Sequence, residues 1–117
     1  MFRLLTLGCL TLALTACDQG PSMQEKLATA QSLQPSDPEL NEIYQRSCRN
    51  CHTLESTGAP LTGDVHAWSL RLEKGQDVLL ENVVSGFAGM PPFGLCMDCN
   101  VTQFNGLIEF MAQIQQQ

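Results

Sequence analysis

Cys48-Arg49-Asn50-Cys51-His52 is the stretch around which the rest of this chain has to be organised. Cys-x-x-Cys-His is the sequence pattern of covalent attachment of a c-type haem. The two thiols would add to the two vinyl groups of the haem, and the adjacent histidine would bring its imidazole to the iron. The stretch therefore predicts one haem c, held covalently by Cys48 and Cys51, with His52 as an iron ligand.

Other chemistries also use closely spaced cysteine pairs, as redox-active dithiols or as halves of zinc sites. The chain contains a second pair, Cys96-x-x-Cys99, and four thiolates from two such pairs could close a tetrahedral zinc site. Zinc would leave His52 and the segment around Met90 without a role, so haem is the favoured interpretation. A redox-active dithiol at the second pair stays open.

The N-terminal segment is typical of a bacterial export signal. Its apolar stretch, Leu4 to Leu14, is too short to span a bilayer comfortably. The stretch runs into Leu14-Thr15-Ala16-Cys17, which resembles the lipobox of bacterial lipoproteins. We therefore expect residues 1–16 to be a cleaved lipoprotein signal peptide and Cys17 to be lipidated. Several acyl chains on one residue would give lasting attachment to a membrane. An ordinary signal peptide or an uncleaved anchor is the alternative.

An export signal and a lipid place the mature chain in the bacterial periplasm, attached to a membrane. Asp18, directly after the lipidated cysteine, resembles the signal for retention at the inner membrane. Residues 17–36 are rich in Gln, Ser, Pro and Ala. We expect the lipidated cysteine and a flexible tether there, with a weak helical turn after Ser22-x-x-Glu25. Residues 37–117 then form the predicted monohaem cytochrome c domain.

The charge balance restricts the partners. The chain has 12 acidic and 6 basic side chains, a formal net charge of −6. This excludes nucleic acid, whose binding needs basic side chains. It favours a partner with a positive docking patch, or one whose docking ignores charge.

Helical spacing predicts an all-α domain that wraps around the haem. Asp37-Pro38 suits the cap and the first position of a helix that runs into the haem motif. Further helices are predicted over Asp64–Lys74, over Asp77–Ser85, and from Asn100 onward. The predicted inward positions are Leu40, Ile43, Tyr44, Ser47, Val65, Trp68, Leu72, Val78, Leu79, Val83, Val101, Phe104, Leu107, Ile108, Met111 and Ile114. Gly106 would permit a close crossing with another helix.

Met90 is the predicted second iron ligand. It lies in Gly86-Phe87-Ala88-Gly89-Met90-Pro91-Pro92-Phe93-Gly94, where glycines allow an irregular backbone and two prolines fix an extended path after the thioether. The rival ligand is His66, and His/His coordination would lower the potential relative to His/Met. His66 falls beside the apolar stripe of its predicted helix, so we expect it to face solvent.

Six short motifs occur in the order seen in a known family: Cys48-x-x-Cys51-His52, Gly58-Ala59-Pro60, Gly63-Asp64, Ala67-Trp68, Met90-Pro91-Pro92 and Cys96-x-x-Cys99. The chain resembles the small bacterial monohaem cytochromes of class I, most of all cytochrome c5. The resemblance implies a compact helical bundle with crossed terminal helices. It also implies that the Pro60 carbonyl accepts a hydrogen bond from His52, that Trp68 and Arg71 lie near the haem propionates, and that Cys96 and Cys99 form a disulfide.

Two protein ligands on the iron would keep substrates away, so we expect an electron carrier and not an enzyme. The expected role is a membrane-anchored, one-electron carrier of a respiratory chain. Its donor would be a quinol-oxidising complex or another redox protein, and its acceptor a terminal oxidase or reductase. The alternatives are a cytochrome subunit of a larger oxidoreductase, a five-coordinate haem sensor or peroxidase if Met90 is labile, and a structural zinc module.

Overall fold

The computed structural model describes residues 20–113, so the predicted signal peptide, Cys17 and Ile114 lie outside the described residues. Its α-helices are α1 Met23–Ser32, α2 Pro38–Ile43, α3 Arg49–His52, α4 Val65–Leu72, α5 Gln76–Ser85 and α6 Val101–Ala112. A π-helix spans Tyr44–Cys48, and short 3-10 helices span Glu55–Thr57 and Pro92–Leu95. The predicted all-α fold is confirmed. Within this part of the chain, no helix combines the length and apolar character needed to span a membrane.

Polar caps start three of these helices where the sequence predicts them. The Asp37 carboxylate accepts a hydrogen bond from the Leu40 N–H at 2.9 Å, and Pro38 occupies the first helical position of α2. Asp64 caps α4 in the same way. Asn100 and Gln103 form both halves of a capping box at the start of α6. Each cap satisfies backbone donors that a helix N-terminus leaves unpaired.

The core lies where α6 crosses α2, α4 and α5. At the crossing with α2, a Cβ on Gly106 would lie 2.9 Å from Cδ1 of Leu40, so glycine permits the close approach that we expected. The buried core side chains are Ile43, Tyr44, Trp68, Leu79, Cys96, Phe104, Leu107, Ile108, Met111 and Ala112.

Three valines predicted to face inward are exposed instead. Val65, Val78 and Val101 are 60%, 42% and 56% exposed. All three lie in the first turn of their helices, where the chain enters from a surface loop. The helical period of a sequence shows which residues lie on the same face of a helix. It does not show at which turn along the helix axis that face becomes buried in the core.

The helix that leads into the haem motif changes from α-helical to π-helical geometry at Tyr44. In the π-helix Tyr44–Cys48, the N–H of Arg49 donates to the Tyr44 carbonyl five residues earlier. A π-turn inserts one residue relative to an α-helix and so rotates everything that follows it, and such turns are frequent at functional sites. The sequence pattern did not predict this turn, which includes Cys48 and directly precedes the α3 helix that carries Cys51 and His52.

The described part of the expected tether, residues 20–36, contains a helix. Met23–Ser32 is a helix, and Ser22 and Glu25 form a complete capping box at its start. Ala30 is 0% exposed and Pro35 is buried. Apart from Leu33, the segment packs through small side chains and polar contacts, which carry little hydrophobic signal in a sequence.

Candidate haem site

His52 is held as a neutral imidazole with one nitrogen free. The ring is buried, 6% exposed, and Nδ1 lies 2.7 Å from the carbonyl oxygen of Pro60. A carbonyl only accepts, so Nδ1 carries the proton and Nε2 keeps its lone pair. Burial lowers the pKa of His52 and Arg71 acts in the same direction, while the Pro60 contact opposes them. A neutral imidazole with an available Nε2 is the form that ligates iron.

The loop of residues 60–64 is built around this histidine, and we call it the proximal loop. The Thr62 N–H donates to the His52 carbonyl at 2.8 Å. The hydroxyl oxygens of Thr62 and Tyr44 lie 2.9 Å apart and hydrogen-bond in the core, where both residues are 0% exposed. His52 is thus held at its ring by Pro60 and at its backbone by Thr62.

Trp68 and Arg71, which the resemblance placed near the haem propionates, both lie on α4. The Trp68 ring stacks on the His52 imidazole with centroids 5.9 Å apart, and its Nε1–H donates to the Leu61 carbonyl at 2.9 Å. The Arg71 guanidinium donates to the Ala67 carbonyl at 2.7 Å. The indole donor is therefore already satisfied by protein, whereas the guanidinium keeps further N–H groups, and a propionate contact of Arg71 stays a prediction.

The cysteines of the haem motif lie at the end of the π-helix and in α3, and neither takes part in a disulfide. Cys48 is half-buried and Cys51 is exposed. Burial raises the pKa of the Cys48 thiol to about 11, so this group is neutral in the polypeptide. Both thiols are thus available for thioether formation, with Cys51 on the outer side.

A tight turn carries Met90. Phe87 and Met90 exchange two backbone hydrogen bonds, of 3.0 Å and 2.8 Å, and Ala88 between them has a left-handed φ of 50°. Beyond the prolines, a Cβ on Gly94 would lie 3.2 Å from the terminal methyl carbon of Met90. The thioether therefore lies against backbone that comes later in the same segment.

That later backbone is strained. Phe93, Gly94 and Leu95 have consecutive positive φ values of 58°, 54° and 66°. A left-handed conformation costs a non-glycine residue roughly 1 kcal/mol. Nothing in the sequence signals this for Phe93 and Leu95.

A disulfide follows directly. The structure joins Cys96 to Cys99, whose Cα atoms are 5.4 Å apart. Within the same loop, the Asp98 carboxylate lies 2.9 Å from the guanidinium of Arg46 on the π-helix. The loop after Met90 is thereby connected to the helix that carries Cys48.

The rival ligand His66 is exposed on α4, as expected. The remaining donors fit a haem c. They comprise two free thiols at the required spacing, a buried imidazole with Nδ1 occupied, and a thioether on a turn closed by hydrogen bonds. This is the donor chemistry of a thioether-linked haem with nitrogen and sulfur ligands.

Comparison with known proteins identifies the family. A family model described as "Cytochrome C oxidase, cbb3-type, subunit III" matches residues 35–111. Cytochrome c5 of Ectopseudomonas mendocina is 35% identical over 74 residues, which cover 62% of this chain and 85% of that protein. The chain belongs to the class I c-type cytochromes. The resemblance to cytochrome c5 is confirmed, and it implies one covalently bound haem c with its iron.

Two further relatives agree. Cytochrome c5 of Azotobacter vinelandii is 34% identical to this cytochrome over 74 residues, covering 62% of this chain and 89% of that one. A solved structure described as an "electron transfer complex of nitrite reductase with cytochrome c" aligns with a TM-score of 0.58 and 31% identity, covering 66% of this chain and 94% of that chain. These matches support an electron carrier.

Proposed function

We propose that this cytochrome is a membrane-anchored periplasmic carrier of single electrons, with haem c on Cys48 and Cys51 and with His52 and Met90 as iron ligands. The haem supplies the chemistry, a reversible change of its iron between the ferric and ferrous states. The observation that carries the proposal is the 2.7 Å contact between Nδ1 of His52 and the Pro60 carbonyl, because it leaves Nε2 as the ligating atom.

Each protein group has a separate task in this proposal. The Pro60 carbonyl orients the imidazole and makes it a stronger donor. The thioether of Met90 is a weak, neutral ligand that favours the ferrous state and raises the potential. With His52 and Met90 both held by the protein as iron ligands, substrates and gases would be kept from the iron, which suits electron transfer and not catalysis.

The surface around the Met90 turn is suited to brief contact with a redox partner. Phe87, Leu95 and Met97 are exposed there, by 59%, 66% and 74%. The nitrite reductase complex of the structural relative supports a reductase as one kind of acceptor. We propose a quinol-oxidising complex or another redox protein as donor, and a terminal oxidase or reductase as acceptor.

Attachment to the membrane is proposed to occur through Cys17 after cleavage of residues 1–16. Mass spectrometry of the protein purified from membranes tests this, since lipidation adds the mass of the acyl groups to the N-terminal peptide. A Cys17→Ser variant should appear in the soluble periplasmic fraction with its haem intact. An unmodified Cys17 peptide in membrane-purified protein would overturn the anchor but leave the carrier role standing.

Visible spectroscopy tests the haem and its ligands. The pyridine haemochrome of the purified protein should show haem c, and the ferric protein should show the charge-transfer band of methionine ligation. We expect Met90→Ala to remove that band. Met97→Ala is the control and should keep the band, because Met97 is 74% exposed to solvent. Survival of the band in Met90→Ala would exclude Met90 as the ligand.

A second candidate function is that of a cytochrome subunit in a larger oxidoreductase. It is favoured by the description of the matching family as an oxidase subunit. Purification from native membranes in mild detergent separates the two, because a subunit co-purifies in fixed stoichiometry and a carrier does not. Fast, tight carbon monoxide binding by the reduced protein would instead indicate a five-coordinate sensor or peroxidase.

The Cys96–Cys99 pair is proposed to be a structural disulfide. It closes a small ring, which by chain entropy contributes about 2 kcal/mol. Its position between the Met90 segment and α6 suits it to hold that connection. Alkylation of the denatured protein before and after thiol reduction shows whether the pair is oxidised. Alkylation of the native protein after brief exposure to a mild dithiol then distinguishes a structural disulfide, which stays closed, from a redox-active pair, which is rapidly reduced.

A further inference from the structure

The outer side of the proximal loop is covered by residues 22–35, which we call the N-terminal strap. Gly63 in the loop has a φ of +82°, and a Cβ there would lie 2.6 Å from Cδ1 of Leu33 and 3.2 Å from Cγ2 of Thr29. The strap therefore rests directly on the loop backbone, at a distance that only a glycine allows.

Polar contacts fasten the strap at both ends of α1. Near its start, Nζ of Lys26 lies 3.0 Å from Oδ2 of Asp64, with side chains only 23% and 11% exposed. Near its end, the guanidinium of Arg49 donates to the Gln31 carbonyl at 3.1 Å. Arg49 is a residue of the haem motif, so the strap contacts both the motif and the proximal loop.

The helix of the strap lies outside the region that the family model matches. The matched region begins at residue 35, and α1 lies before it. Within the matched region, the Gly63 N–H donates to the Met111 carbonyl at 2.8 Å. Gly63 is therefore held by both the strap and α6.

We propose that the N-terminal strap is a positioning element for the His52 ligand. By holding Gly63 and Asp64 it keeps the Pro60 carbonyl, three residues earlier, on Nδ1 of His52. Release of the strap loosens this hydrogen bond, makes the imidazole a weaker donor to ferric iron, and raises the reduction potential. The inference rests on the proposed role of His52 as an iron ligand.

The test uses the full-length holoprotein with the same substitution on opposite faces of α1. Ala30 is 0% exposed and Ala28 is exposed, so Ala30→Gln should release the strap and Ala28→Gln should not. In Ala30→Gln we expect the α1 amides to exchange with solvent more than about tenfold faster. The potential should rise, and the NMR signal of the His52 Nδ1–H should exchange faster. Ala28→Gln should match the wild type in all three.

Two outcomes overturn the proposal. One is an Ala30→Gln protein whose α1 amides exchange freely with solvent, while its reduction potential and the exchange rate of its His52 Nδ1–H equal those of Ala28→Gln. The other is a strap that stays protected in Ala30→Gln, which would contradict the packing. If Ala30→Gln does not fold, a milder pair of variants tests the same point. Leu33→Ala removes the side chain that lies on Gly63 and should have the effects expected of Ala30→Gln. Its control is Leu70→Ala, which shortens a leucine that is 51% exposed. Absence of haem in the wild type would refute the proposed function itself.

Discussion

The terminal methyl carbon of Met90 lies 3.2 Å from the point where a Cβ on Gly94 would stand. Gly94 is the central residue of three with left-handed backbone. A side chain at this position would both strain the backbone and push against the thioether. This glycine therefore determines how closely the segment after the prolines folds back over the proposed ligand.

We expect Gly94→Ala to weaken the bond between Met90 and iron. The backbone φ of +54° costs an alanine about 1 kcal/mol, and the new methyl must displace the end of Met90. The charge-transfer band of the ferric protein should lose intensity, and the reduced protein should bind carbon monoxide faster. Gly89→Ala is the matched control. A Cβ on Gly89 would meet no atom within 4 Å, so this variant should leave both measurements unchanged. Equal spectra for the two variants would contradict the role of Gly94.

Removing the attachment thiols should unfold the domain. A helical domain of about 80 residues is marginal without extra stabilisation, and a covalently held apolar macrocycle would supply core. We expect the Cys48→Ala, Cys51→Ala double variant to lose most of its helical circular dichroism and to unfold without a cooperative transition. A spectrum equal to that of the holoprotein would show that the helices fold without haem.

The crossing of α2 and α6 should be sensitive to side-chain size at one position. A Cβ on Gly106 would lie 2.9 Å from Cδ1 of Leu40, so the β-branched valine of Gly106→Val must displace the Leu40 side chain from its place in the crossing. We expect a loss of about 1–3 kcal/mol, the usual cost of overpacking a core. Denaturant titration measures it, and the same valine should cost less in a Leu40→Ala background. Additive losses in the double variant would show that the two residues do not compete for space.

The contact between the N-terminal strap and α4 should weaken in acid. Burial acts to raise the pKa of Asp64, but Lys26, the Ala67 N–H and the nearby His66 outweigh it and hold the pKa below its ordinary 3.8. A carboxyl with a lowered folded pKa stabilises the fold above its unfolded pKa. That contribution is lost as the pH falls through the folded value.

Hydrogen exchange of the α1 amides, corrected for intrinsic rates, measures this effect. Protection should be constant near neutral pH and should fall below about pH 4, the region of an ordinary carboxyl pKa. In Lys26→Gln the fall should begin at higher pH, because the pKa of Asp64 rises when the ammonium is lost. Identical profiles for the two proteins would exclude the ion pair as the cause.

Local chemistry explains why the haem cofactor and the helix caps could be predicted. The two thiols, His52 and Met90 lie in short motifs whose spacing is dictated by the haem and by a glycine- and proline-rich turn. The caps at Asp37, Asp64 and Asn100 are likewise local, since each side chain reaches a backbone N–H three residues ahead. Such contacts depend on sequence distance alone.

The features that sequence reasoning missed depend on distant neighbours. The π-helix before the haem motif, the left-handed Phe93 and Leu95, and the docked α1 are unfavourable or neutral as isolated segments. Each is stabilised by packing against parts of the chain far away in sequence. The predictions that the valines at the helix starts face inward were wrong for a related reason. The boundary of the core is a property of the assembled helices.

By itself the sequence determined the haem chemistry, the all-helical class and the helix starts, because these rest on bonds and hydrogen bonds between residues a few positions apart. Only the tertiary structure decided that residues 22–35 belong to the domain, and that Gly63 and Gly94 lie under Leu33 and against Met90. Those placements follow from steric fit between residues 30 positions apart at Gly63 and across a strained turn at Gly94, and a linear pattern of residue types does not specify such a fit.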